Sequence, residues 1–180
     1  MPPAGSGRDC LAIEILAAVT REMVFFPDPK GDGTMTQSQD LHTVTQRWAA
    51  AFSAPMPGGL PALLALATED IHFTDPFNDV RGKPALAAIL EDMLERSDAP
   101  SFAVHDITAS DRAGYIRWSF SCIPKGRKDM WQFEGMSEIH IAEDGRVKAH
   151  YDHWDSGAQL YAKLPVIGWI IRRIQAMIRA

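Results

Sequence analysis

The chain has 180 residues, 46% of them hydrophobic and 23% charged, with a formal net charge of −5. That length suits one domain of ordinary globular composition, able to bury a core without staples. The mild acidity speaks against nucleic acid, which needs a basic face, and no apolar run approaches the roughly 20 residues of a membrane-crossing helix.

Residues 1–34 differ from the rest. Gly, Pro and Asp dominate both ends of this stretch, and Leu11, Ile15, Ala18 and Val19 keep a helical spacing between them. Glu14 breaks the apolar run, so the stretch does not read as a signal peptide. Met35 then looks like an ordinary start. Residues 1–34 are either a flexible extension or a mis-assigned start.

From Ser38 the pattern becomes regular. Leu41, Val44, Trp48 and Phe52 recur at spacings of three and four, which predicts a helix ended by Pro55, Pro57, Gly58 and Gly59. A short helix follows over Leu60 to Ala67. Ile71 to Asp75 reads as a strand stopped by Pro76. A third helix spans Lys83 to Glu95, with Pro84 in its first turn.

The period then changes to two. Strands are expected over Phe102 to Ser110, Gly114 to Ile123, Trp131 to Ala142 and Val147 to Trp154. Gly145 supplies the last hairpin turn. Asp155 can cap a C-terminal helix, which Pro165 and Gly168 are expected to split. Helices gathered on one side of an antiparallel meander define an α+β fold.

Several short motifs carry a family likeness. They are Thr45-Gln46-Arg47-Trp48, Ile71-His72-Phe73-Thr74-Asp75-Pro76, Asp144-Gly145-Arg146-Val147 and Tyr151-Asp152-His153-Trp154-Asp155. In this order the chain resembles the nuclear-transport-factor-2-like superfamily, from about residue 38 to 160, and within it the uncharacterised bacterial members. That superfamily includes ketosteroid isomerases, SnoaL-like polyketide cyclases and limonene epoxide hydrolases. The resemblance implies a cone-shaped, curved antiparallel sheet wrapped around the N-terminal helices, here with an added C-terminal helix. The domain would span residues 35–160, followed by an amphipathic helix over 161–180.

The resemblance also suggests site residues. In the isomerases the general base is the Asp of an Asp-Pro pair ending the first strand, and Asp75-Pro76 matches it. A carboxylate at the lip of an apolar cavity can shuttle a proton beside a carbonyl. The structural alternative is that Asp75 caps the turn through Asn78 and Asp79. The isomerases' two oxyanion donors do not carry over; their positions fall on Trp48 and Ser137, which argues against a true ketosteroid isomerase. On the last strand, Lys148, His150, Asp152 and Trp154 share one face, and the isomerase register turns that face inward. Asp152 and His150 therefore join Asp75 as candidate catalytic residues, the alternative being a pair that fastens the sheet. Trp48, Phe73, Trp118, Phe120, Phe133, Ser137, Ile139 and Trp154 are expected to line the pocket. The epoxide hydrolases' Asp-Arg-Asp relay is not reproduced, because Ser119 stands two positions from Arg117; an exposed or ion-paired Arg117 is expected.

No spacing of Cys10, Cys122 or the histidines suggests a metal. Cys122 reads as a buried, reduced thiol, and a cytoplasmic location, which fits both cysteines, is expected. No cofactor is implied. The expected partners are a small apolar molecule and a second copy across the outer sheet face. The C-terminal segment, with Lys163, Arg172, Arg173 and Arg179, is expected to cover an open end of the domain or join a dimer; contact with a membrane surface is the less favoured reading. Enzyme, ligand carrier and interaction domain all remain open, because one fold hosts all three.

Overall fold

The computed structural model describes residues 37–54 and 56–178, and these belong to one compact unit, Met35–Ala180. The sequence reading of residues 1–34 lies outside the described residues. Helix α1 (Gln37–Ser53) and the short α2 (Leu60–Ala65) precede strand β1 (Ala67–Thr74) and the edge strand β2 (Asp79–Arg81). Helix α3 (Lys83–Arg96) leads into four strands: β3 (Ser97–Ala109), β4 (Gly114–Pro124), β5 (Trp131–Ile141) and β6 (Val147–His153). A turn of helix, α4 (Ser156–Gln159), a 3-10 turn (Tyr161–Lys163) and helix α5 (Pro165–Ile178) follow.

The sheet order is β2-β1-β6-β5-β4-β3. Every neighbouring pair is antiparallel except β1 and β6, which run parallel with Phe73 opposite His150. The fold is therefore α+β, with the N-terminal helices on a mixed, mostly antiparallel sheet. That one parallel pair brings the end of β1 alongside the middle of β6.

Helix α1 lays its predicted stripe on the sheet. Leu41, Trp48 and Ala49 are buried, and α1 packs on β3 and β4. Thr45 sits fully buried on that face because its Oγ1 donates to Leu41 O at 2.7 Å, so its hydroxyl stays satisfied. Helix α3 buries Leu86 and Leu90. These side chains join Ile71, Phe73, Ile116, Trp118, Phe133 and Ile139 in a single core, each large one contributing about 1.5–3 kcal/mol by leaving water.

Three sequence expectations change here. Strand β2 carries no sequence signal, because at three residues it is too short for alternation to show. Gly168 does not split the last helix, because only Pro165 starts it and Gly168 lies inside it, buried. Lys148 does not face inward with His150. The β5–β6 register shifts between His140, opposite Ala149, and Ile141, opposite Val147. Lys148 is the extra residue of that bulge and is exposed, while Ala149 and His150 are both buried.

Candidate functional site

Between α1, α3 and the sheet lies a cavity of about 690 Å³. Its walls are largely apolar: Phe52 from α1, Ile89 and Met93 from α3, Phe102, Phe120 and Phe133 from the sheet, and Trp154 and Leu160 from the chain that follows it. Aromatic edges and faces meet around it, with Phe102 and Phe120 at 4.6 Å between centroids and Phe133 and Trp154 at 5.2 Å. Half-exposed Phe77 packs on Trp154 at 5.5 Å. Concave apolar walls with few polar groups are the usual form of a small-molecule site.

Asp152 is one of those polar groups, and a chain of hydrogen bonds holds it. Trp48 Nε1 donates to His150 Nδ1 at 3.0 Å. An indole N–H can only donate, so Nδ1 is the acceptor and the imidazole carries its proton on Nε2. That Nε2–H donates to Asp152 Oδ1 at 2.9 Å. The same oxygen accepts from Ser137 Oγ at 2.5 Å, and Ser137 Oγ in turn accepts from Trp118 Nε1 at 2.8 Å. Among the described residues no hydrogen bond reaches Asp152 Oδ2. The side chain keeps 17% of its surface accessible while His150 keeps 4%; Oδ1 is the anchored oxygen of the two.

Local packing makes this chain of bonds possible. The β5–β6 register sets Ser137 directly opposite Asp152 and Ile139 opposite His150. The β4–β5 register sets Trp118 opposite Gly135. A Cβ on Gly135 would stand 2.5 Å from Trp118 Cζ2, so only glycine lets the indole lie across β5 and reach Ser137. His150 is gripped by Phe52 and Phe73, with ring centroids 5.0 and 5.2 Å away. A small recess behind the cavity, lined by Trp118, Ser137, His150 and Asp152 among others, ends at this network.

Asp75 also lines the cavity, but its carboxylate is committed to the turn. Oδ1 accepts from the backbone N–H groups of Phe77 and Asn78, each at 2.7 Å, and Asn78 Nδ2 sits 3.0 Å from both oxygens. Asp75 N donates back to Asn78 O at 2.9 Å. This is the turn-capping arrangement weighed from the Asp-Pro pair, with Asn78 rather than Asp79 as the partner; Asp79 instead bonds His72 at 2.7 Å.

Of the expected lining, Phe73, Phe120, Phe133 and Trp154 border the cavity, and Trp118 and Ser137 border the recess. Trp48 and Ile139 border neither. Both are fully buried, Trp48 because its N–H is spent on His150 and Ile139 because it packs in the core beside that histidine. Phe52 was legible as a helix-stripe position but not as a cavity wall, and Ile89, Met93 and Phe102 join it there. Phe77 was missed; its one signal is a large apolar side chain inside a polar turn.

Arg117 lies outside the site. It is half exposed and ion-paired with Glu134 at 2.9 Å. The arginine that does border the cavity, Arg96, is exposed and paired with Asp92 one helical turn away at 2.6 Å. Cys122 also borders the cavity, and burial pushes its thiol above the ordinary value. Among the described residues no group of three or more His, Cys, Asp or Glu side chains could hold a metal ion.

Comparison with known proteins agrees with this architecture. Solved structures share it at low identity. An NTF2-like protein of unknown function from Exiguobacterium sp. 255-15 is 14% identical, with 62% of this chain and 98% of that one covered and a TM-score of 0.56. A putative polyketide cyclase from Xanthomonas campestris pv. campestris is 16% identical over 69% and 98% of the two chains, TM-score 0.56. An LEH-like epoxide hydrolase of M. tuberculosis is 16% identical over 78% and 99%, TM-score 0.57. At such identities the likeness is one of fold. No curated protein matches the chain. The sequence pattern of the SnoaL-like domain matches residues 45–150, well over half of the chain, and the chain belongs to that family.

Proposed function

We propose that the cavity binds a small, largely apolar carbonyl compound and that Asp152 moves a proton at the carbon beside its carbonyl, without a cofactor. The observation that carries this reading is the state of Asp152. Its Oδ1 is anchored by His150 and Ser137, Oδ2 has no hydrogen bond among the described residues, and the side chain borders the largely apolar cavity. A carboxylate oriented in that way beside largely apolar walls is suited to accept a proton from carbon. His150 is a positioning residue here: its Nε2–H holds the carboxylate, and Trp48 holds the imidazole. Asp75, tied to its turn, contributes a fixed negative charge at the cavity border. The fold relatives named as a polyketide cyclase and an epoxide hydrolase are compatible with a pocket of this kind.

A second reading is a ligand carrier. The observation in its favour is that Trp48 N–H, Trp118 N–H and the Ser137 hydroxyl are all spent inside the network, so none is left to stabilise a developing oxyanion.

Deuterium wash-in separates the two. A panel of apolar ketones is incubated with the protein in heavy water, and exchange beside the carbonyl is read by mass spectrometry. Exchange well above the buffer rate, reduced about 100-fold or more in Asp152→Asn, supports the enzyme. Ketones that bind but exchange at the buffer rate support the carrier.

A further inference from the structure

Helix α5 presents its apolar stripe away from the domain that carries it. Val166, Ile167, Ile170, Ile174, Met177 and Ile178 recur at the spacing of one helical face. All six are exposed, Val166 at 74%, Met177 at 85% and Ile178 at 78%. The helix docks through its other side. Gly168 is buried because any side chain there would run into Ala162 O, and one turn later Arg172 Nη1 donates to that same carbonyl at 2.6 Å. The principal contact of α5 is with the 3-10 turn before it. Its small and polar side faces the protein and its apolar side faces out.

Charge identifies the occupant. Residues 156–180 hold four basic side chains, Lys163, Arg172, Arg173 and Arg179, and no acidic one, in a chain whose net charge is −5. Trp169, 60% exposed, stands at the border of the stripe with the Arg173 guanidinium 5.7 Å from its ring centre. Lys163 and Arg172 donate to the backbone carbonyls of Gln132 and Ala162; an apolar stripe with an indole and the Arg173 cation at its edge, in a segment free of acidic side chains, is the pattern of a helix that lies in the interface of an anionic membrane. Fourteen residues span about 21 Å at 1.5 Å each, so the helix fits along the surface. It is too short to cross a hydrocarbon core of about 30 Å, and no described helix is long and apolar enough to cross one. Pairing with the same helix of a second copy would instead set like charges together.

We propose that α5 docks the protein on anionic phospholipid surfaces by burying this stripe. The test uses the full chain and vesicle flotation. Wild type should float with phosphatidylcholine vesicles containing one part in four phosphatidylserine, and about ten-fold less at high salt or with pure phosphatidylcholine. Ile170→Asp combined with Ile174→Asp should abolish flotation with a cooperative melting transition retained, since about half of each side chain is in water. Arg173→Glu, which leaves the stripe intact, should weaken binding about ten-fold. Failure to float with anionic vesicles at low salt overturns the proposal. So does equal flotation with neutral vesicles. A concentration-dependent dimer that the double variant abolishes, in a chain that ignores vesicles, overturns it in favour of a second copy.

Discussion

Trp48 and His150 lie 102 residues apart in the chain and are joined by one hydrogen bond of 3.0 Å from indole Nε1 to imidazole Nδ1. That bond fixes which histidine nitrogen carries the proton, and through it the aim of Asp152. Trp48→Phe keeps most of the buried ring and removes the donor. Nδ1 is then a buried acceptor without a partner, which costs about 1–3 kcal/mol. Melting should fall by several degrees, while the bond to Asp152 still keeps a proton on Nε2. Unchanged stability would contradict this account of the site.

Gly135 is what allows Trp118 to reach Ser137. Gly135→Ala sets a Cβ 2.5 Å from the indole, and the strand and ring must part. Such overpacking costs about 1–3 kcal/mol. The Trp118–Ser137 bond should break with it, so the indole N–H of Trp118 should exchange with solvent faster in the variant. Equal exchange in both proteins would show that the close approach is not required.

Cys122 reports on the cavity. It borders the cavity and is 7% exposed, and burial raises its thiol. A raised folded value means the folded chain keeps a proton that the unfolded thiol sheds. The stability tied to this group is complete below the ordinary thiol value, about 8.5, and is lost as pH rises through the raised folded value. Because the thiolate is the reactive form, alkylation in a Cys10→Ser background should be slow near neutral pH and slower still with a ketone bound. Labelling as fast as in denaturant, or unaffected by a bound ketone, would remove Cys122 from the cavity wall.

The outer sheet face is expected to pair with a second copy. It presents Met136, 42% exposed, together with a polar group in which Tyr151 meets His72 Nδ1 at 3.2 Å and His72 Nε2 meets Asp79 at 2.7 Å. Sedimentation should give a dimer at micromolar concentration, and Met136→Glu should shift it toward monomer. A wild-type monomer at tens of micromolar would reject the interface.

Much of this protein was legible along the chain because the signals are local. Alternation over Gly114 to Ile123 and the three-four spacing of Leu41, Val44, Trp48 and Phe52 report which side of each element meets the core, whatever the rest does. The ends were read least well: β1 begins at Ala67 rather than Ile71 and β3 at Ser97 rather than Phe102, where pairing with a neighbour, not composition, extends the strand. The Asp75 turn is likewise local, since every partner of its carboxylate lies within three residues. What tertiary structure alone decided is who meets whom across the sheet. Strand alternation put His150 and Asp152 on one side but put Lys148 with them; the bulge that expels Lys148 depends on how β6 pairs with β5. The same spacing made Trp48 and Phe52 equal members of one helical stripe, yet one is sealed against a histidine and the other borders the cavity. Helical spacing showed that α5 is amphipathic, whereas the direction its apolar side faces was set by Gly168 and Arg172 meeting the carbonyl of Ala162. Periodicity encodes the face a residue shares with its near neighbours; the partner on that face is chosen by register and packing between distant segments, and no local pattern carries that information.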